Sequence, residues 1–110
     1  MNNKLANQVY MIGNFPITRQ EIAYNIVTDG LSIVSFEQGW NDKIAGDIFF
    51  GLGNISDRLT DDDCQAYVSG FNNYMSDGDK LFDHIKQFTY MLFTKWGVFA
   101  NIGVSVNWLF

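Results

Sequence analysis

Three times in this chain a threonine or serine is followed three positions later by a carboxylate, and an apolar run of period 3.6 comes next. Thr18 with Glu21, Thr60 with Asp63 and Ser76 with Asp79 read as capping boxes, in which hydroxyl and carboxylate each satisfy an otherwise orphaned backbone N–H. Ile17 and Ile22 flank the first box, and Leu59 and Cys64 the second, at the spacing of a hydrophobic staple. After Thr18, Ile22, Ala23, Ile26 and Val27 share one face as far as Gly30, a residue suited to a left-handed helix end. This predicts a helix over 18–29. After Thr60 the face is Cys64, Tyr67, Val68, Phe71 and Met75. After Ser76 it is Leu81, Phe82, Ile85, Phe88, Leu92, Phe93 and Trp96, closed by Gly97. Helices over 60–75 and 77–96, joined by a very short turn, form a helical hairpin. A fourth helix, from Asn41 or Asp42 to Phe50, carries Ile44, Ala45, Ile48 and Phe49, and Gly51 and Gly53 end it.

The last residues change period. Ile102, Val104, Val106, Trp108 and Phe110 alternate with Gly103, Ser105, Asn107 and Leu109, as in a half-buried strand. A strand needs partners for its backbone groups, and residues 31–36 and 8–12 are the candidates. The expected fold class is therefore α+β. Three to four helices, including the hairpin at about 60–96, pack on a small sheet containing the C-terminal strand. At 110 residues the chain reads as one compact domain spanning 1–110, large enough to bury roughly two-thirds of its unfolded surface. Its composition, 47% apolar and 16% aromatic, excludes a disordered chain.

Net charge is −5, and it is unevenly spread: residues 41–83 hold nine aspartates against three cations, whereas 84–110 hold two lysines and no acid. Direct nucleic-acid binding requires basic surface to displace phosphate counterions, so it is not expected. Residues 88–110 contain Lys95 alone among charged side chains, but their uncharged part, 96–110, falls short of the about 20 residues of a spanning helix, and its alternation suits a strand. No membrane segment is expected. A single cysteine and an opening, MNNKLANQVY, without a basic then apolar stretch point to a cytoplasmic protein.

The residues that carry chemistry are few. Cys64 and His84 face each other across the expected hairpin with an axial mismatch of roughly 6 Å, so a nucleophile–base pair is one reading. The staple position of Cys64 and the neighbouring Asp61, Asp62 and Asp63 favour a buried, inert thiol instead. Asp77, Asp79 and Asp83 suggest hard-cation ligands, yet an EF-hand register centred on Gly78 puts Met75 and His84 at ligand positions, and the pattern fails. One His and one Cys do not make a zinc site. No GxxxxGK[ST], GxGxxG, GxSxG or HExxH occurs. Neither an enzyme nor a cofactor is expected.

What remains is the acidic surface. Asp61, Asp62, Asp77, Asp79, Asp83, Asp42, Asp47 and Asp57 gather at the starts of expected helices, where the macrodipole alone accounts for many of them. The sharper reading is a docking face for a protein partner with a basic surface. In its most specific form, the chain is a small inhibitor that imitates phosphate spacing toward a nucleic-acid-handling protein. Composition rich in Asn, Ile and Phe and poor in Arg is of the kind seen in phages and mobile elements. Because 61–62 and 77–79 start helices at opposite ends of the hairpin, an elongated acidic stripe without a Ca²⁺ or Mg²⁺ site is expected. The alternative is a structural subunit of a virion or multiprotein assembly, a homo-oligomer joined through the aromatic C-terminal strand.

Overall fold

The computed structural model describes residues 8–101, and these are mostly helical. A short hairpin of β1 (Val9–Ile12) and β2 (Phe15–Thr18) leads into α1 (Arg19–Gln38), α2 (Asp42–Leu52), the single turn α3 (Ile55–Arg58), α4 (Asp61–Tyr74), α5 (Gly78–Lys95) and the single turn α6 (Val98–Asn101). Helix α5 packs against both α1 and α4, and α1 in turn also meets α2, α3, α4 and β2.

The expected α+β class is corrected by this arrangement. The only sheet among the described residues is the antiparallel β1–β2 pair. The alternating segment 102–110 lies outside the described residues, and Val98–Asn101, which leads into it, is helical, with Val98 and Phe99 buried. Residues 31–36, offered as a strand, lie in α1. The buried set Ile22, Ala23, Ile26, Val27, Gly30 and Val34 continues the helical phase through them, which outweighs the local alternation of Leu31, Ile33 and Ser32.

Residues 8–12 do pair, with their own neighbours. Val9 faces Thr18, Tyr10 faces Ile17, Met11 faces Pro16 and Ile12 faces Phe15. Gly13 is at φ 60° and no non-glycine residue has positive φ, the signature of a type II′ turn over Gly13–Asn14. In such a hairpin the closing pair Ile12–Phe15 exchanges the hydrogen bonds, so Met11 and Pro16 turn their backbone groups outward. Pro16 has no N–H to leave unpaired. On the other edge, Asn72 of α4 donates to the Met11 carbonyl at 3.0 Å and accepts from the Gly13 N–H at 2.7 Å. Both edges are thereby closed to a further strand where they would otherwise invite one.

The helix starts follow the sequence closely. Thr18 and Thr60 are N-caps, and both bonds of each capping box form: Thr18 with Glu21, and Thr60 with Asp63. Leu59 and Cys64 are buried together as the expected staple. The third cap is Asp77 rather than Ser76, accepting from the Lys80 N–H at 3.3 Å, while 75–76 form the turn. Helix α2 is capped by Asn41 and runs through Gly51 to Gly53, whose φ of 66° ends it. Helix α1 is longer than expected. It passes Gly30 and stops at Gly39, in the left-handed region at φ 70°.

Gly30 has a different duty. It is buried, and a Cβ built there would stand 2.6 Å from Thr89 Cγ2, so the missing side chain is what lets α1 and α5 approach. Gly70 plays the same part between α4 and α5, where a Cβ would fall inside the His84 ring. Around these two crossings Ile22, Leu59, Leu92, Phe93 and Phe99 are fully buried.

Candidate interaction surface

Three polar knots tie the elements together, and they absorb some of the residues that the sequence offers for function. At the foot of the hairpin the buried Tyr10 hydroxyl donates to Asp61 Oδ1 at 2.8 Å, and Arg19 donates to the Leu59 carbonyl. Burial first, and the Asp61 carboxylate second, push the Tyr10 phenol well above its ordinary range. In the same first turn of α4, Asp63 holds the Thr60 cap and pairs with Lys95 of α5 at 3.3 Å. Between α1 and α5, Glu37 accepts from Tyr90 and pairs with Lys86 at 2.7 Å. Lys86 and then Tyr90 lower the Glu37 carboxyl, and burial with the Glu37 bond pushes the Tyr90 phenol up to about 12.

Cys64 and His84 do not form a catalytic pair. Cys64 is fully buried beside Tyr10, and burial pushes its thiol up. His84 lies over Gly70, within 3.4 Å of the Tyr67 carbonyl and against the rings of Tyr74 and Phe88. It fills the gap between two helices, which is a packing role. Among the described residues no three His, Cys, Asp or Glu side chains stand together as a metal site, and no helix is long and apolar enough to cross a membrane.

The eight aspartates divide. Asp61 is engaged by Tyr10, Asp77 by its own helix start, and Asp47 by Lys43 at 3.0 Å, an exposed i,i+4 pair. Asp42, Asp57, Asp62, Asp79 and Asp83 are exposed, and among the described residues none forms a salt bridge. The first four stand in the first turns of α2, α3, α4 and α5, where each offsets the positive helix end. Asp83 stands one turn further along α5, beyond that effect. Asp62 and Asp79 lie at opposite ends of the α4–α5 hairpin, about 20 Å apart for fourteen residues of helix.

The sequence reading missed the aromatic side chains that stand in water. Phe49, assigned there to the buried face of α2, is 50% exposed, and Phe50 is 84% exposed. Successive helical residues point about 100° apart, so a Phe–Phe pair following the buried Ile48 has no room to turn wholly inward. Tyr24, 69% exposed, rises from the solvent face of α1 between Glu21 and Thr28. It borders two shallow depressions. One, of about 250 Å³, runs between α1 and the α2–α3 connection and is lined by Ala23, Val27, Phe49 and Ile55 with uncharged polar groups. The other, of about 330 Å³, follows α1 past Glu21 to the end of β2.

No protein-family model, curated protein or solved structure matches the chain. The functional reading therefore rests on the surface itself.

Proposed function

We propose that this chain is a non-catalytic protein-binding domain that recognises a partner with a basic surface. The observation that carries the reading is the set Asp42, Asp57, Asp62, Asp79 and Asp83, exposed and in no salt bridge among the described residues. Helix-end electrostatics account for the positions of the first four, but not for Asp83, and they leave the outward field of all five in place. An acidic surface of this kind steers a basic partner and competes with phosphate for it, which supports an inhibitor of a nucleic-acid-handling protein as the specific form.

The test begins with affinity capture from the source cell. The captured protein is then purified and titrated against the wild-type chain and a variant with all five aspartates changed to Asn. Affinity that falls steeply with salt, through slower association, and falls again in the variant is the expected result. A partner indifferent to both salt and the substitutions overturns the reading. A defined homo-oligomer with no captured partner favours the structural subunit instead.

A further inference from the structure

Helix α2 is held to the molecule differently from its neighbours. The β-hairpin is tied by Tyr10 to Asp61 and by Asn72, α1 by Glu37 to Lys86 and Tyr90, and α4 to α5 by Asp63 and Lys95. The side-chain bonds of α2, among the described residues, stay within 41–58. Lys43 pairs with Asp47, Asn41 accepts from the Ile44 N–H, and Arg58 of α3 donates to the Leu52 carbonyl at 2.6 Å. The main packing partner of α2 is α1. Its grip on the core is Ile48 and Leu52, both buried, with Ile44 half-buried. Phe49 and Phe50 stand in water, and a Cβ added at Gly46 or Gly51 would meet nothing within 4 Å. Few buried contacts and no cross-element polar tie mark a segment that opens before its surroundings do.

Both ends of this segment are fixed. Trp40 lies 6.2 Å from Phe99 of α6, and Ile55 is buried in α3, which packs on α1. Gly53, at φ 66° and ψ −137°, joins α2 to the Ile55 anchor through backbone space that glycine alone occupies at low cost. Gly39, at φ 70°, adjoins Trp40, and a Cβ at either glycine would meet nothing within 4 Å. A few element-terminal residues of this kind absorb the rotation in hinged segments. We propose that α2 is a strap that swings off α1 as a unit, between Trp40 and Ile55, while the other elements stay folded. What it uncovers is the depression beside Tyr24. Phe49 is the one lining residue that α2 contributes among the described residues. Lifting the strap removes that wall and joins the depression, about 250 Å³ when closed, to the α1 surface against which α2 packs. The strap thereby sets the size of the depression, and it does so independently of the acidic-surface reading.

The test is native-state hydrogen exchange of the wild-type chain, read by NMR through a urea series below the unfolding transition. A detached helix as short as α2 is marginal in water, so its amides exchange on release. The amides of Ile48, Phe49 and Leu52 should exchange at least about 10-fold faster than those of Leu92 and Phe93, after correction for intrinsic rates. They should share one urea slope, shallower than that of α5, because a partial opening exposes less surface. Protection and slope equal to those of α5 overturn the strap. Protection that fades from each end of α2 inward, with no common slope, is fraying and overturns it too. Thiol labelling adds a readout of the packed face. In an Ile48→Cys chain the fully buried Cys64, in α4, is the internal standard for global unfolding. Iodoacetamide should modify position 48 at least about 10-fold faster than Cys64, with the weaker urea dependence. Modification of both thiols in step overturns the proposal, and where that variant fails to fold the exchange of the wild-type chain decides.

Discussion

Thr89 sits on Gly30, its Cγ2 2.6 Å from where a Cβ would be. Thr89 is 1% exposed and α1 is backbone at that point, so neither side has room to give. Gly30→Ala should therefore destabilise the chain by about 1–3 kcal/mol, through overpacking, although alanine is the better helix former. Gly46→Ala, in α2 with nothing within 4 Å of the new methyl, should stabilise by about 0.5–1 kcal/mol. Urea midpoints of the two variants give the comparison. The same sign for both would mean that the α1–α5 crossing is looser than described.

Gly70 and His84 make a paired test of the other crossing. Gly70→Ala should be destabilising because the imidazole occupies the site of the added methyl. His84→Ala removes the obstruction, so the double variant should be more stable than the sum of the single effects, by about 0.5–3 kcal/mol. Additive effects in this double-mutant cycle would contradict the packing role of His84.

Asn72 guards the β1 edge with two hydrogen bonds. Asn72→Ala should cost about 1–2 kcal/mol, from typical net contributions of such bonds. It should also raise concentration-dependent association, because the outward groups of Met11 and Gly13 become free to pair with another strand. Sedimentation velocity across a concentration series measures the second effect.

The Glu37–Lys86–Tyr90 knot sets a pH window. Glu37 is held below its ordinary value when folded. Its contribution is present above the unfolded carboxyl value of about 4.3 and drains as pH falls through the lower folded value. Tyr67 and Tyr90 are each pushed up to about 12, first by burial. Their contribution is complete below pH of about 10 and is lost as pH rises from there through 12. Denaturation midpoints should therefore fall on both sides of neutrality, and Glu37→Gln should flatten the acid limb. An unchanged acid limb in that variant would remove Glu37 as a source of it.

Cys64 is 0% exposed and its thiol is pushed up by burial. Iodoacetamide should modify it only through unfolding, at a rate that rises with urea, and rapid alkylation in buffer alone would contradict its burial. Cys64→Ser should lower stability by about 1–3 kcal/mol by burying a more strongly hydrated hydroxyl in place of the thiol and leave partner binding unchanged.

Where the chain announces its structure, it does so through local hydrogen-bonding chemistry. Thr18 with Glu21 and Thr60 with Asp63 need only their own neighbours to form, so both helix starts were legible. Ser76 and Asp77 are adjacent residues of nearly equal capping ability, and the choice between them depends on where the turn closes. Gly30 was misread because a glycine after an apolar run marks either a helix end or a close helix crossing, and only the arrival of Thr89 from 59 residues away distinguishes them. The N-terminal hairpin is within reach of the same local rules, since Gly13–Asn14 between two apolar runs is a type II′ signal. For the candidate surface, acidity was legible but its availability was not. Tyr10 reaches Asp61 from 51 positions away, a pairing that no local pattern encodes. The exposure of Tyr24, Phe49 and Phe50 likewise depends on which faces the fold leaves uncovered.

The two packing partners of α5 set the order in which the molecule comes apart. Its contacts with α4 span a short loop, whereas its contacts with α1 join distant parts of the chain and carry the larger entropy of closure. Opening should therefore proceed by release of α1 from a surviving α4–α5 pair, and Leu92 and Phe93 should keep among the slowest-exchanging amides. The aromatic depression is built from α1 and the α2–α3 connection. It would be dismantled by that release at the latest, so a ligand seated there would slow the exchange of α1 before it slowed that of α5.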